Sequence, residues 1–241
     1  MQNQFDPRQP AVNTATVGVP RAARDVGLRS YMLSVYNYMA SGVLLTGIVA
    51  MLFASSGYAA QVMATPLRWL IILAPLAIVM AMSFGVNRMK TSTLQALFWS
   101  FAVLMGLSMS TIFLVYTGES IAQTFFAVSA GFLGLSLWGY TTKKDLSGWG
   151  TFLIMGVVGL LVAIVINIFL QSPAMMMAIS AIGVLLFAGL TAYDTQKIKS
   201  MYARVAGTDM MGKVVIMGAL TLYLDFINMF QFLLFFMGNR E

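Results

Sequence analysis

The sequence predicts an all-α membrane protein with seven transmembrane helices, on three observations. The chain of 241 residues is 59% hydrophobic and only 9% charged, whereas soluble domains carry about 25% charged residues. A soluble fold of this size could not cover so much apolar surface. Seven apolar runs each approach or exceed the ~20 residues that a helix needs to cross a bilayer. The basic residues collect in short clusters between those runs, as topology signals do.

Residues 1–30 form a polar leader with Pro7, Pro10 and Pro20 and the basic residues Arg8, Arg21, Arg24 and Arg29. No apolar core comes early enough for a cleavable signal peptide, so a flexible cytoplasmic tail is expected there. Residues 31–241 make up the seven-helix domain. Its expected spans are 34–55, 67–86, 94–116, 121–140, 152–171, 174–193 and 214–237. Pro75 sits inside the second span and predicts a kink. Gln171-Ser172-Pro173 predicts a tight turn between the fifth and sixth, with the proline opening the later helix.

With the amino terminus inside, twelve of the 14 Lys and Arg residues fall on the inner side. They are Arg8, Arg21, Arg24, Arg29, Arg88, Lys90, Lys143, Lys144, Lys197, Lys199, Arg204 and Lys213. Only Arg68 and Arg240 fall outside. The bias predicts an N-in, C-out topology, which agrees with an odd number of spans. A net charge of +6 distributed in this way offers no basic face for nucleic acid.

The chain has neither histidine nor cysteine. Ser-His and Cys-His catalysis, the HExxH zinc site, histidine-ligated haem and disulfides are therefore excluded. The usual physiological-pH switch is also missing, so a pH response would have to come from carboxyls. No lysine lies mid-membrane to form a retinal Schiff base. Trp69, Trp138, Trp149, Tyr31, Tyr36 and Tyr38 fall near span ends and are expected as interfacial anchors. Gly106/Ser110 and Ser136/Tyr140 offer small or polar helix contacts. Gly131, Gly134, Gly156, Gly159 and Gly183 are expected as close-packing points, and Met175-Met176-Met177 as adaptable packing rather than a metal relay.

Two aspartates are the candidate site. On the last span Gly218, Thr221, Asp225 and Asn228 share one face by helical spacing, and such a polar stripe must face protein or water. Asp225 has apolar sequence on both sides, and an ionisable group inside a membrane is a functional candidate. Asp194, at the inner end of the sixth span and close to Lys197 and Lys199, reads on its own as a solvated boundary residue. If the two helices are neighbours, the carboxyls would titrate as a coupled pair. Asp225 lies ~18 Å along a straight helix from Lys213, so the pair can meet only if the last helix overhangs the membrane.

Ala192-Tyr193-Asp194-Thr195-Gln196-Lys197-Ile198-Lys199 and Leu222-Tyr223-Leu224-Asp225-Phe226-Ile227-Asn228 resemble the Bax inhibitor-1 (transmembrane Bax inhibitor motif) family, as does the inner loop Thr142-Lys143-Lys144-Asp145-Leu146-Ser147. The similarity covers about residues 28–239 and is strongest to the bacterial inner-membrane branch, which implies a multi-pass protein of the inner membrane. It implies six helices around a central seventh, and a pH-sensitive calcium leak gated by Asp194 and Asp225. It also implies a latching arginine, for which Arg88 in Ser83-Phe84-Gly85-Val86-Asn87-Arg88-Met89-Lys90 is the counterpart. Thr221 and Asn228 could support the pair or line a pore.

Three functions compete on these residues. The favoured one is a cation leak, with Ca²⁺ as the transported ion and no bound cofactor; Asp194 and Asp225 are the candidate metal ligands, to which Asn228 and Thr221 could add neutral oxygens. The alternative is a membrane regulator that transports nothing and binds a membrane protease or a stress-response partner. An intramembrane aspartyl protease is disfavoured, because Tyr223-Leu224-Asp225 lacks the Gly-x-Gly-Asp such enzymes carry. The expectation is a non-enzyme whose partners are the bilayer and another membrane protein.

Overall fold

The computed structural model describes residues 21–239. Of the tail expected over residues 1–30, residues 1–20 lie outside the described residues. Every regular element among the described residues is helical: α1 (Arg21–Ser55), α2 (Tyr58–Met63), α3 (Leu67–Gly85), α4 (Thr91–Met109), α5 (Ile112–Val115), α6 (Gly118–Thr141), α7 (Ser147–Leu170), α8 (Pro173–Val205) and α9 (Met210–Met237). Seven stretches are long and apolar enough to cross a membrane. They follow the seven expected spans, while the short α2 lies in the connection between the first two. α1 begins ahead of the expected boundary at residue 30, and α3 runs through Pro75 as one assigned helix.

Local chemistry sets the helix ends. Thr117 accepts a hydrogen bond from the Ser120 amide at the start of α6, and Glu119 stands in that first turn, where the helix dipole favours an anion. Gln171 adopts the left-handed conformation at φ 49°, and Ser172 caps α8 by accepting from the Met175 amide ahead of Pro173. This is the expected tight turn. Asp145 receives its neighbour Ser147 twice, through the hydroxyl and the amide, and those bonds hold its exposed carboxyl below the usual range.

α9 is the centre of the bundle. It packs against α8, α1, α6 and α4, and its membrane stretch is the most buried of the seven, at 56%. α3 packs chiefly on α4, and α7 on α8. The core around α9 is aromatic and aliphatic: Tyr223 is fully buried between the edges of Phe98 and Phe101.

Some expectations about packing need correction. A Cβ on Gly131, Gly134 or Gly159 would meet nothing within 4 Å, so these glycines are not close-packing points; Gly156 and Gly183 are, against Leu186 and Phe232. The tight crossings use Gly139 against the Ala192 backbone and Gly106 against the Thr46 carbonyl. Tyr31 is not a surface anchor either, and Tyr36 is half-buried. Tyr31 is buried and its hydroxyl donates to the Ile198 carbonyl at 3.3 Å, while Tyr36 shares a 2.7 Å hydrogen bond with Ser136. Tyr38 accepts from Gln95 at 2.6 Å. Trp69, Trp138 and Trp149 do face outward.

Candidate functional site

The site is built by α8 and α9, antiparallel neighbours joined through residues 206–209. Gly207 sits in that connection at φ 75°, a conformation glycine adopts without a Cβ penalty. Along the pair, Gly183 packs on Phe232 and Gly218 on Ile198. Between those levels the side chains of Asp194 and Asp225 interact directly. Both are buried, at 8% and 4% exposure.

The geometry follows from helix length. Asp194 lies ~17 Å along α8 from Val205, and Asp225 ~22 Å along α9 from Met210, at 1.5 Å per residue. Those distances are close enough to bring the carboxyls together across one hairpin. The expected end of the sixth span at residue 193 is corrected: α8 continues to Val205, and Asp194 lies within it. The added segment is polar and carries no hydropathy signal. It is covered by the amino-terminal part of α1, where Tyr31 also rests against the Tyr202 ring at 5.4 Å. Gly139 near the end of α6 packs on Ala192, and Gly150 near the start of α7 packs on Tyr193. Asp194 is therefore level with the ends of α6 and α7, and α8 and α9 run on past them.

Neither aspartate forms an ion pair among the described residues, and Asp225 Oδ2 is buried without a hydrogen-bond partner among them. Lys197 is the cation whose field Asp194 feels, with its ammonium 5.8 Å from the Tyr193 ring centroid. Lys199 turns away and donates to the Tyr140 carbonyl at 2.6 Å. Arg88 is not brought to the pair. It is exposed in the turn after α3, where its amide donates to the Gly85 carbonyl, and α3 is held by α4. Thr221 and Asn228 share the face of Asp225, but their side chains donate to the Met217 and Leu224 carbonyls of their own helix.

Three polar arrangements near the pair were not expected from the sequence. A hydroxyl chain, Tyr36–Ser136–Thr195, half-buried at Tyr36 and buried beyond it, links α1, α6 and α8 with separations of 2.7 and 2.9 Å, ending one residue from Asp194. Thr46 donates to the Ala102 carbonyl at 2.8 Å and shares a 2.6 Å bond with Tyr223, two residues before Asp225. Gln196, two residues after Asp194, clamps the loop of residues 142–146: its carbonyl accepts from the Leu146 amide and its amide donates to the Lys144 carbonyl, both at 2.8 Å. Spacing gave no signal for any of them, because each joins residues fifty or more positions apart.

A buried carboxyl pair can hold a proton between two oxygens or attract a cation. No cluster of three or more Asp, Glu, His or Cys residues exists among the described residues, so the pair falls short of the six to eight oxygen ligands of a calcium cage.

Residues 28–241 match the sequence profile of a family described as "Inhibitor of apoptosis-promoting Bax1". A protein of Rickettsia prowazekii is 50% identical over 219 residues, covering 90% of this chain and 92% of that protein. Inner membrane protein YbhL of Escherichia coli is 45% identical over 226 residues, covering 92% of this chain and 95% of its own length. A protein of Deinococcus radiodurans is 43% identical over 216 residues, covering 89% of this chain and 92% of its own.

Proposed function

The chain belongs to the Bax inhibitor-1 family, and from that membership we propose that it is a pH-sensitive cation leak of the bacterial inner membrane, with Ca²⁺ as the ion. The observation that carries this reading is the direct meeting of Asp194 and Asp225, both buried, between the two most intimately packed helices of the bundle.

Two like charges confined in a low-dielectric site repel strongly. A proton held between the carboxyls removes that repulsion and ties α8 to α9. A proton gained or lost at the pair thereby changes the bond between the central helix and its neighbour. The lone partnerless oxygen, Asp225 Oδ2, is where a cation or a guanidinium such as that of Arg88 would add its charge. Two carboxyls without further acidic ligands suit an ion in transit better than an ion stored. An N-in topology, which the positive-inside bias favours, would put the pair toward the cytoplasmic half of the bilayer, with cytoplasmic pH as the input.

Calcium flux into proteoliposomes of purified protein, stepped through pH, tests the reading. The native protein is expected to leak in a pH-dependent way, and Asp225→Asn and Asp194→Asn each to flatten that dependence. Unchanged pH-dependent flux in both variants would sink it. Absence of flux together with stoichiometric co-purification of a membrane protein would favour the regulator instead. The basic inner loop bearing Lys143 and Lys144, fixed by Gln196, is the surface that such a partner would meet.

A further inference from the structure

The helices around α9 do not close on one side. α1 packs on α4 and α9, and α6 packs on α8 and α9, but α1 and α6 scarcely touch. Two cavities follow one another along the resulting seam and share Tyr36 and Leu133 in their walls. They measure ≈ 320 and ≈ 270 Å³. The lining extends from Arg29 to Leu44 on α1 and from Tyr140 to Phe125 on α6, about 22 Å of each helix. One leaflet's share of the hydrocarbon core is about 15 Å.

The seam is chemically graded. At one end stand Arg29, which is exposed, and the hydroxyl-bearing residues Tyr36, Ser136 and Tyr140. Behind Tyr140 lies a second cation, because the Lys199 ammonium is 4.9 Å from its ring centroid. Asp25 is one turn before Arg29 on α1 and is exposed, without an ion pair to it among the described residues. Beyond Tyr36 the walls become apolar, with Met39, Val43, Phe132 and Phe226, the last contributed by the central helix. Small residues keep the space open: Ala40 and Ser129 line it.

We infer that the α1–α6 seam is a binding site for one anionic glycerophospholipid, with its phosphate on Arg29 and an acyl chain lying along Ala40 and Ser129 against Phe226. The length, the gradient from cationic to apolar and the location among membrane-spanning helices fit this occupant. The inference does not rest on ion conduction.

Spin-labelled lipids in reconstituted membranes test it. The native protein is expected to hold a motionally restricted phosphatidylglycerol label about fivefold more strongly than the phosphatidylcholine label, as one cation near the membrane surface implies. Arg29→Gln is expected to bring that ratio close to one, Arg29→Lys to retain most of it, and Arg68→Gln, which removes an exposed cation elsewhere, to leave it unchanged. Ala40→Phe, which fills the seam from an exposed position, should lower the number of restricted lipids by about one per protomer for both headgroups. Equal restriction of the two lipids by the native protein would overturn the inference. So would an unchanged ratio in Arg29→Gln, or a disulfide-linked dimer formed by Leu133→Cys or Leu137→Cys in place of retained lipid.

Discussion

Gly139 on α6 lies so close to Ala192 on α8 that a Cβ built on it would collide with the Ala192 carbonyl oxygen. The contact sits two residues before Asp194 and fixes the helix that carries it. A backbone carbonyl cannot swing away as a side chain can, so this approach requires glycine.

Gly139→Ala should therefore destabilise the protein by about 1–3 kcal/mol, as overpacking does, and lower the thermal midpoint in detergent. Gly134→Ala, where the added carbon meets nothing within 4 Å, should not lower it. Equal melting of the two variants would remove Gly139 from the crossing.

Thr46 joins three helices by donating to Ala102 and pairing with Tyr223. A double-mutant cycle of Thr46→Val and Tyr223→Phe should give a coupling energy of about 0.6 kcal/mol, the average for such bonds inside membranes, with ~1.7 kcal/mol as a ceiling. Purely additive melting shifts would show that the hydroxyls act independently.

Gln196→Ala should release the loop of residues 142–146 without unfolding the bundle, because both bonds it loses are to loop backbone. Amide exchange there should rise severalfold, and trypsin should cut faster after Lys143 and Lys144. Unaltered exchange would mean that the loop is held by other contacts.

The chain has no cysteine, so single cysteines can be labelled without background. With the amino terminus inside, Lys144→Cys should react with an impermeant maleimide only in inverted vesicles, and Tyr58→Cys only in right-side-out ones. The reverse pattern would invert the topology.

The seven spans were legible because length and hydropathy are local properties of a sequence, and Asp225 was legible because it interrupts one of them. The ends were less so. Nothing in the polar segment from Lys197 to Arg204 tells a spanning helix from one that continues beyond the membrane, and the helix there is supported by Tyr31 from the opposite end of the chain. The same cause hid the burial of Asp194, which sequence alone reads as solvated; only the shared motif singled it out. Tyr31 and Tyr36 stood where anchors stand, and their partners Ile198 and Ser136 lie 167 and 100 positions away. Glycine content identified the residue type that packs closely but not which copies do, since that depends on which helix face meets a neighbour.

The central position of α9 also sets the order in which this protein can be made. It is the last of the described helices to leave the ribosome, yet α1, α4, α6 and α8 all pack against it. Until it inserts, Phe98 and Phe101 lack the Tyr223 ring, Thr46 lacks one of its two partners, and Asp194 has no second carboxyl beside it. The closing of the centre and the creation of the site are therefore the same late event in biogenesis. A chain stalled or cut before Met210 would leave four helices facing an unfilled centre.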